Sequence, residues 1–239
     1  MSNLILVRHG QSEWNLENRF TGWVDVDLSK NGIKEAEKSG ELINSLNLEI
    51  DLYFTSYLKR AIKTLEIIID ILKKNPRIIK AWELNERHYG ELTGMNKDEM
   101  KEKLNEIQIK KIRRSWDIAP PPMKDDDENN PRNNLIFNNI PIDKIPNTES
   151  LKDTYNRVIP YYEEKVKQHL QKNKNILISA HGNSLRALSK KIFKISNKKI
   201  SELEIPTGNP LVINFDRNLE ISNYKYLDKN RKNNIIVNE

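Results

Sequence analysis

The segments "LILVRHGQSEWN" (residues 4–15) and "ILISAHGNSLRA" (residues 176–187) stand near opposite ends of the chain and share one pattern. Each opens with a continuous apolar run, and each run leads into a His–Gly pair. A run that is apolar at every position suits a parallel strand covered on both faces, whereas a half-exposed strand would alternate. In parallel α/β sheets, ligands gather in the crevice beyond the carboxyl ends of the strands. His9 follows one such run and His181 the other. If the two strands are parallel neighbours, their imidazoles meet at that edge. Gly10 and Gly182 then let the backbone turn sharply without crowding the site. Either His–Gly pair alone reads equally well as turn or core structure; the repetition gives it weight.

Working outward, apolar runs predict further strands at 52–55, 78–80 and 211–215. Helical spacing of apolar residues predicts helices at 32–46 and 58–72, one beginning near 96, one over 151–170, and shorter ones at 184–192 and 198–203. Pro160 should kink or break the long one. Strand–helix alternation of this kind predicts an α/β fold, a three-layer α/β/α arrangement around a mostly parallel central sheet. No repeat or linker divides the chain, so residues 1–239 are expected to form one domain. Between Ala119 and Asn147 periodicity disappears, and "APPPMKDDDENNPRNNLIFNNIP" reads as a long surface excursion, a type of loop that is usually functional or mobile.

Composition narrows the function classes. The 239 residues are 37% hydrophobic and 31% charged, with no cysteine, which removes disulfide frameworks and thiolate metal sites. No apolar run approaches the roughly 20 residues that span a bilayer. Met1, Ser2 and Asn3 lead straight into a strand, so no secretory signal is expected and a cytoplasmic enzyme is the natural reading. The net charge of +6 would suit nucleic acid or a small polyanion. Lysines interleaved with acids, as in "KNGIKEAEKSG", and the lack of an aromatic ladder argue against nucleic acid.

Cations cluster around the histidines. Arg8 precedes His9, Arg186 lies in the first turn after His181, and Arg60 opens the helix of "LYFTSYLKRAIKTL", where backbone N–H groups already favour anions. Planar guanidinium groups match phosphate oxygens, and an unprotonated imidazole is a nucleophile, so the group points to phosphoryl transfer. No GxxxxGK[ST] or HExxH motif is present, no metal site is expected, and Asp125–Asp127 read as solvated charge. In "ELNERHYG" (83–90), Glu86 is a candidate to take and return a hydroxyl proton, or else an exposed ion-pair partner of Arg87. His88 is ambiguous and His169 reads as surface. Arg113 and Arg114 are adjacent, and adjacent helical residues share a ligand only near a helix end. So many cations suggest a substrate bearing a carboxylate as well as phosphate.

These residues carry a resemblance. "LVRHGQSEWN", "RFTGWVDVDLS", "LNERHYGELTG", "RRSWDIAPPP", "TESLKDTYNRVIPYY", "AHGNSLRAL" and "IPTGNPLV" together resemble the cofactor-dependent phosphoglycerate mutases of the histidine phosphatase superfamily, over nearly the whole chain. The resemblance implies the phosphoglycerate mutase-like fold and a metal-free exchange in glycolysis and gluconeogenesis. His9 would be phosphorylated, 2,3-bisphosphoglycerate would prime it, and 3- and 2-phosphoglycerate would interconvert through the bisphosphate. It further implies His181 as the stabilising imidazole, Glu86 as proton donor and acceptor, and Arg8 and Arg60 on phosphate. Asn15, Gly182 and Asn183 would assist. Ser12, Thr21, Gly22, Tyr89, Lys97, Arg113 and Arg114 would hold the phosphoglycerate. Arg186 loses its ligand role and is expected in a structural ion pair.

Residues 97–147 would cover the site. Partners would be small phosphoglycerates, with neither nucleic acid nor membrane; the resemblance leaves monomer, homodimer and homotetramer open, and a dimer is the commonest choice among soluble proteins. Two departures stand out: the chain ends in "YLDKNRKNNIIVNE" (tail at 229–239) instead of a longer Ala-rich tail, and "NNPRNNLIFNN" lacks a tyrosine after Pro-Arg. These predict weaker closure and more leakage of phosphate to water. A phosphatase of the same superfamily would share His9, His181, Arg8 and Arg60, and a bisphosphoglycerate synthase bias also stays open. A non-catalytic phosphate-dependent binder would predict a damaged centre, whereas every expected residue is present.

Overall fold

Six strands form one sheet in the computed structural model, which describes residues 1–231. They are β1 (Ser2–Arg8), β2 (Leu52–Thr55), β3 (Ile78–Lys80), β4 (Ile176–Ala180), β5 (Leu211–Phe215) and β6 (Ile221–Tyr226). The order is β3-β2-β4-β1-β5-β6, with the first four strands parallel and β5 antiparallel to both β1 and β6. The expected neighbours β1 and β4 are therefore adjacent and parallel. β6 has no counterpart among the predicted strands. It is an edge strand of mostly polar, exposed residues, so it lacks the apolar signal of a buried one.

Helices α1 (Glu13–Leu16), α2 (Lys30–Asn44), α3 (Lys59–Ile71), α4 (Lys97–Leu104), α5 (Glu106–Arg114), α6 (Leu151–Tyr161), α7 (Lys167–Gln171) and α8 (Gly182–Ile192) surround the sheet. Alternation within β1 shows why its run is unbroken. Leu4 and Leu6 pack on one face with α6 and α8 residues such as Val158, Leu185 and Leu188, while Ile5 and Val7 pack on the other with Ile43, Leu65 and Ile68 of α2 and α3. Each fully buried aliphatic side chain contributes roughly 1.5–3 kcal/mol. Leu4–Val7 and Ile176–Ile178, all essentially inaccessible, thus anchor the two strand ends firmly.

Pro160 does not end its helix. α6 runs through it and widens into a π-helical turn, Tyr162–Val166, before α7 continues. Proline's missing N–H removes one regular hydrogen bond there. The Pro- and Asn-rich excursion is more ordered than its composition suggests. Short 3₁₀ turns at Pro131–Asn133, Leu135–Phe137 and Ile142–Lys144 carry Phe137, Ile140 and Ile145 into a small core with Trp23 and Leu58. The expectation about the tail falls largely on residues 232–239, outside those described. No helix among the described residues is long and apolar enough to cross a membrane.

Candidate active site

His9 is the first residue beyond β1, and His181 the first beyond β4. The register that pairs Arg8 with Ala180 brings them side by side, and His9 N–H donates to the Ala180 carbonyl at 2.9 Å. Their rings lie 4.9 Å apart, centroid to centroid, at an interplanar angle of 62°, and both are buried. His9 Nδ1 is 2.7 Å from the Gly10 carbonyl. A carbonyl can only accept, so Nδ1 carries the proton and Nε2 presents its lone pair. Burial, then the charges of Arg60 and Arg8, hold the His9 pKa well below its ordinary 6.5. Burial, Arg60 and His9 itself do the same to His181. Both imidazoles are therefore neutral near pH 7, and Nε2 of His9 is available as a nucleophile.

Arg60, in the first turn of α3, points Nε at His9 Nε2 from 3.3 Å, while its terminal nitrogens donate to the Val24 and Gly22 carbonyls, each at 2.8 Å. Burial brings its pKa down to about 10, which leaves it cationic at neutral pH. Arg8 donates from Nη1 to the Ile205 carbonyl at 2.8 Å. His181 Nε2 meets the Ser56 hydroxyl at 2.8 Å, and its Nδ1 has no hydrogen-bond partner among the described residues. Gly10 answers to packing. A Cβ there would sit 2.1 Å from the Gly32 carbonyl oxygen of α2, so the close approach of two backbones requires glycine. A Cβ on Gly182 would lie 3.5 Å from the Arg8 guanidinium carbon, an ordinary contact.

Glu86 is buried beside the pair. Its Oε1 accepts from Arg87 N–H at 2.7 Å and Asn183 N–H at 3.1 Å, so the alternative of an exposed ion pair with Arg87 is not what forms. The segment carrying it has little regular structure, and one partly buried arginine satisfies much of its backbone. Arg157 of α6 binds Glu149 through both carboxylate oxygens, at 2.6 and 2.9 Å, and donates to the carbonyls of Glu83, Asn85 and Glu86. Glu149 in turn accepts from His88 N–H at 2.8 Å. His88 is structural: its Nδ1 accepts from Gly90 N–H, and burial with Arg157 and Arg132 nearby lowers its pKa to about 4.

In front of His9 opens a cleft of about 130 Å³ whose walls are mostly polar. Arg8, His9, Arg60, Glu86, Gly182 and Asn183 form its floor, and Asn15, Thr21, Gly22 and Tyr89 one side. Lys97, at the start of α4, and Arg113 and Arg114, at the end of α5, also line it. The two adjacent arginines do stand at a helix end, since α5 stops at Arg114. Lys97 is half-buried, and its pKa falls to about 8 through burial and the charges of Arg113 and Arg8. Two expected residues do not line the cleft, His181, which is fully buried behind His9 with its Nε2 on Ser56, and Ser12. The Ser12 hydroxyl accepts from Asn15 N–H at 3.2 Å and caps α1, the turn that presents Asn15.

Arg186 also borders the cleft, and instead of an ion pair it makes hydrogen bonds to Asn183 Oδ1 and to the Arg114 and Ile200 carbonyls. Sequence reasoning missed Arg19, Glu204 and Ile205 as lining residues. Arg19 sits next to Thr21 and Gly22 in sequence, a signal that could have found it. Ile205 opens the "IPTGNPLV" motif, whereas Glu204 just before it has no local mark and pairs with Arg114 at 2.9 Å. Asp125 is exposed and faces Arg132, and among the described residues no cluster of three or more His, Cys, Asp or Glu could hold a metal ion.

Comparison with known proteins identifies the family. The model of the histidine phosphatase superfamily (branch 1) matches residues 4–132 and 123–222. The chain belongs to the histidine phosphatase superfamily and is closely related to the 2,3-bisphosphoglycerate-dependent phosphoglycerate mutases. It is 55% identical to the mutase of that name from Pelagibacter ubique, over 99% of this chain and all of the relative. It is 47% identical to that of Treponema denticola, over 98% and 96%. Among solved structures, a mycobacterial glucosyl-3-phosphoglycerate phosphatase complexed with VO3 superposes with a TM-score of 0.71 at 19% identity, covering 94% of this chain and 96% of its own. Bacillus stearothermophilus YhfR gives 0.70 at 22%, covering 99% and 100%. At those identities the structures speak for the fold alone.

Proposed function

We propose that the chain interconverts 3-phosphoglycerate and 2-phosphoglycerate in glycolysis and gluconeogenesis, through a phosphohistidine and a 2,3-bisphosphoglycerate intermediate. The observation that carries this reading is the unprotonated His9 Nε2, set beside His181 and Arg60 at the floor of a cleft lined with cations. 2,3-Bisphosphoglycerate is both the priming phosphoryl donor and the intermediate. Its phosphates and carboxylate suit a lining that includes Arg8, Arg60, Lys97, Arg113 and Arg114.

In the forward direction, the bond between phosphorus and His9 Nε2 breaks as one forms to the substrate hydroxyl oxygen. Glu86 takes the hydroxyl proton, and returns it when the other phosphoryl group passes back to Nε2. Arg8, Arg60 and His181 stabilise the charge on the transferring oxygens, with Asn15, Gly182 and Asn183 assisting. Thr21, Gly22, Tyr89, Lys97, Arg113 and Arg114 hold the glycerate portion. Ser12 supports Asn15 through the helix cap. On this reading residues 1–239 act as one domain, with 97–147 as a cover that keeps water from the phosphohistidine. The same proposal makes the protein a cytoplasmic homodimer or homotetramer.

Incubation with ³²P-labelled 2,3-bisphosphoglycerate should give an acid-labile phosphoenzyme that His9→Ala abolishes, and the wild type should convert 3- to 2-phosphoglycerate. Labelling that survives in His9→Ala overturns the assignment of the nucleophile. Phosphate release without conversion makes the chain a phosphatase.

A further inference from the structure

Helix α5, which supplies Arg113 and Arg114, ends in carbonyl groups that no residue of the helix can satisfy. Two arginines from the body of the protein reach them. Arg186 of α8 donates from Nη2 to the Arg114 carbonyl at 3.1 Å, and Arg87, two residues before Tyr89, donates from Nη2 to the Arg113 carbonyl at 3.4 Å. Both side chains are buried, at 4% and 0% exposure, and neither forms an ion pair among the described residues. Burying a cation without a carboxylate is costly. Here the partial negative charge of a helix C-terminus offsets part of that cost. The Tyr89 ring, 4.6 Å from the Arg87 guanidinium, adds a cation–π contact.

The two arginines are also joined to each other through residues that line the cleft. Arg186 Nη1 donates to Asn183 Oδ1 at 2.8 Å, and Asn183 Nδ2 donates to the Tyr89 hydroxyl at 3.1 Å. One guanidinium thus serves Asn183, Arg114 and Ile200 at once, a task for a planar fork and not for a single ammonium.

We propose that Arg87 and Arg186 are positioning residues: by gripping the last carbonyls of α5 they fix where Arg113 and Arg114 present their charge to the carboxylate-bearing end of the substrate. The proposal rests on the phosphoglycerate reading above. It predicts a split between ligands. A bare phosphate, held at the histidine floor, does not depend on the α5 end, whereas a phosphoglycerate does.

The experiment is calorimetric titration of wild type, Arg186→Lys and Arg87→Lys with inorganic phosphate and with 3-phosphoglycerate. Losing a charge-assisted hydrogen bond should weaken 3-phosphoglycerate roughly tenfold. For Arg87→Lys, whose hydrogen bond goes to the Arg113 carbonyl and to no residue of the floor, phosphate affinity should change by less than about twofold; Arg186→Lys also releases Asn183 and is read for 3-phosphoglycerate only. Should Arg186→Lys unfold, Arg87→Lys tests the same helix end from the other side. Equal weakening of both ligands in Arg87→Lys would make these residues general supports of the fold, and no weakening would make the carbonyl contacts idle; either result overturns the proposal. A wild type that binds phosphate but not 3-phosphoglycerate instead removes the reading on which it rests.

Discussion

The floor of the cleft and its outer wall are built on different principles. The floor is set by sheet register: β1 and β4 are hydrogen-bonded neighbours with apolar residues on both faces, and His9 and His181 follow directly from their ends. The outer wall is set by contacts between distant segments. Lys97 and Arg113 stand on short helices held to the body by side chains and by the small core of Phe20, Leu92, Met100 and Ile109. Phosphoryl transfer needs atoms placed within fractions of an ångström, and a buried sheet edge gives that. Recognition of a flexible glycerate tolerates a looser frame, which short helices held by side chains can supply.

This contrast can be broken by experiment. The largest effect is expected at the floor. Glu86→Gln should lower kcat by about a thousandfold, the scale of a lost general acid–base, while KM moves little. A variant that instead raises KM and spares kcat would place Glu86 with the wall. Next, Arg113→Met should raise KM for 3-phosphoglycerate by about tenfold through loss of a charged hydrogen bond. Phosphoenzyme formation at saturating bisphosphoglycerate should survive, and its loss would erase the division.

The smallest effect concerns Lys97. With its pKa lowered to about 8, it is charged below that pH and neutral above it. Anion binding favours the charged form, so KM should rise severalfold as pH climbs through 8. Arginine does not titrate there, so Lys97→Arg should flatten the rise. A slope that persists in Lys97→Arg assigns the titration to another group.

Much of the floor was legible because its signals are local. An apolar run, a His–Gly pair and an arginine in the next helical turn are read directly, and the parallel pairing of β1 and β4 follows once both runs are taken as buried. The wall was legible mainly by resemblance. Spacing alone placed Arg113 and Arg114 near a helix end, yet nothing nearby in sequence says that Glu204 meets Arg114 across 90 residues. Ser12 shows the opposite failure: a motif member expected on the ligand acts one step behind it, as a cap. β6 escaped because an exposed edge strand is polar.

By itself, the sequence determined a mostly parallel α/β sheet, the two histidines at its strand ends and the cationic character of what they face, since hydrophobic periodicity and side-chain type are properties of neighbouring residues. Only the tertiary structure decided which nitrogen of His9 is unprotonated, that Arg157 and Glu149 hold the Glu86 segment, and that Arg87 and Arg186 take the carbonyls of α5. Those outcomes depend on which unsatisfied backbone groups meet which buried side chains. That pairing is fixed when distant segments pack and desolvate together, not by the order of residues along any one of them.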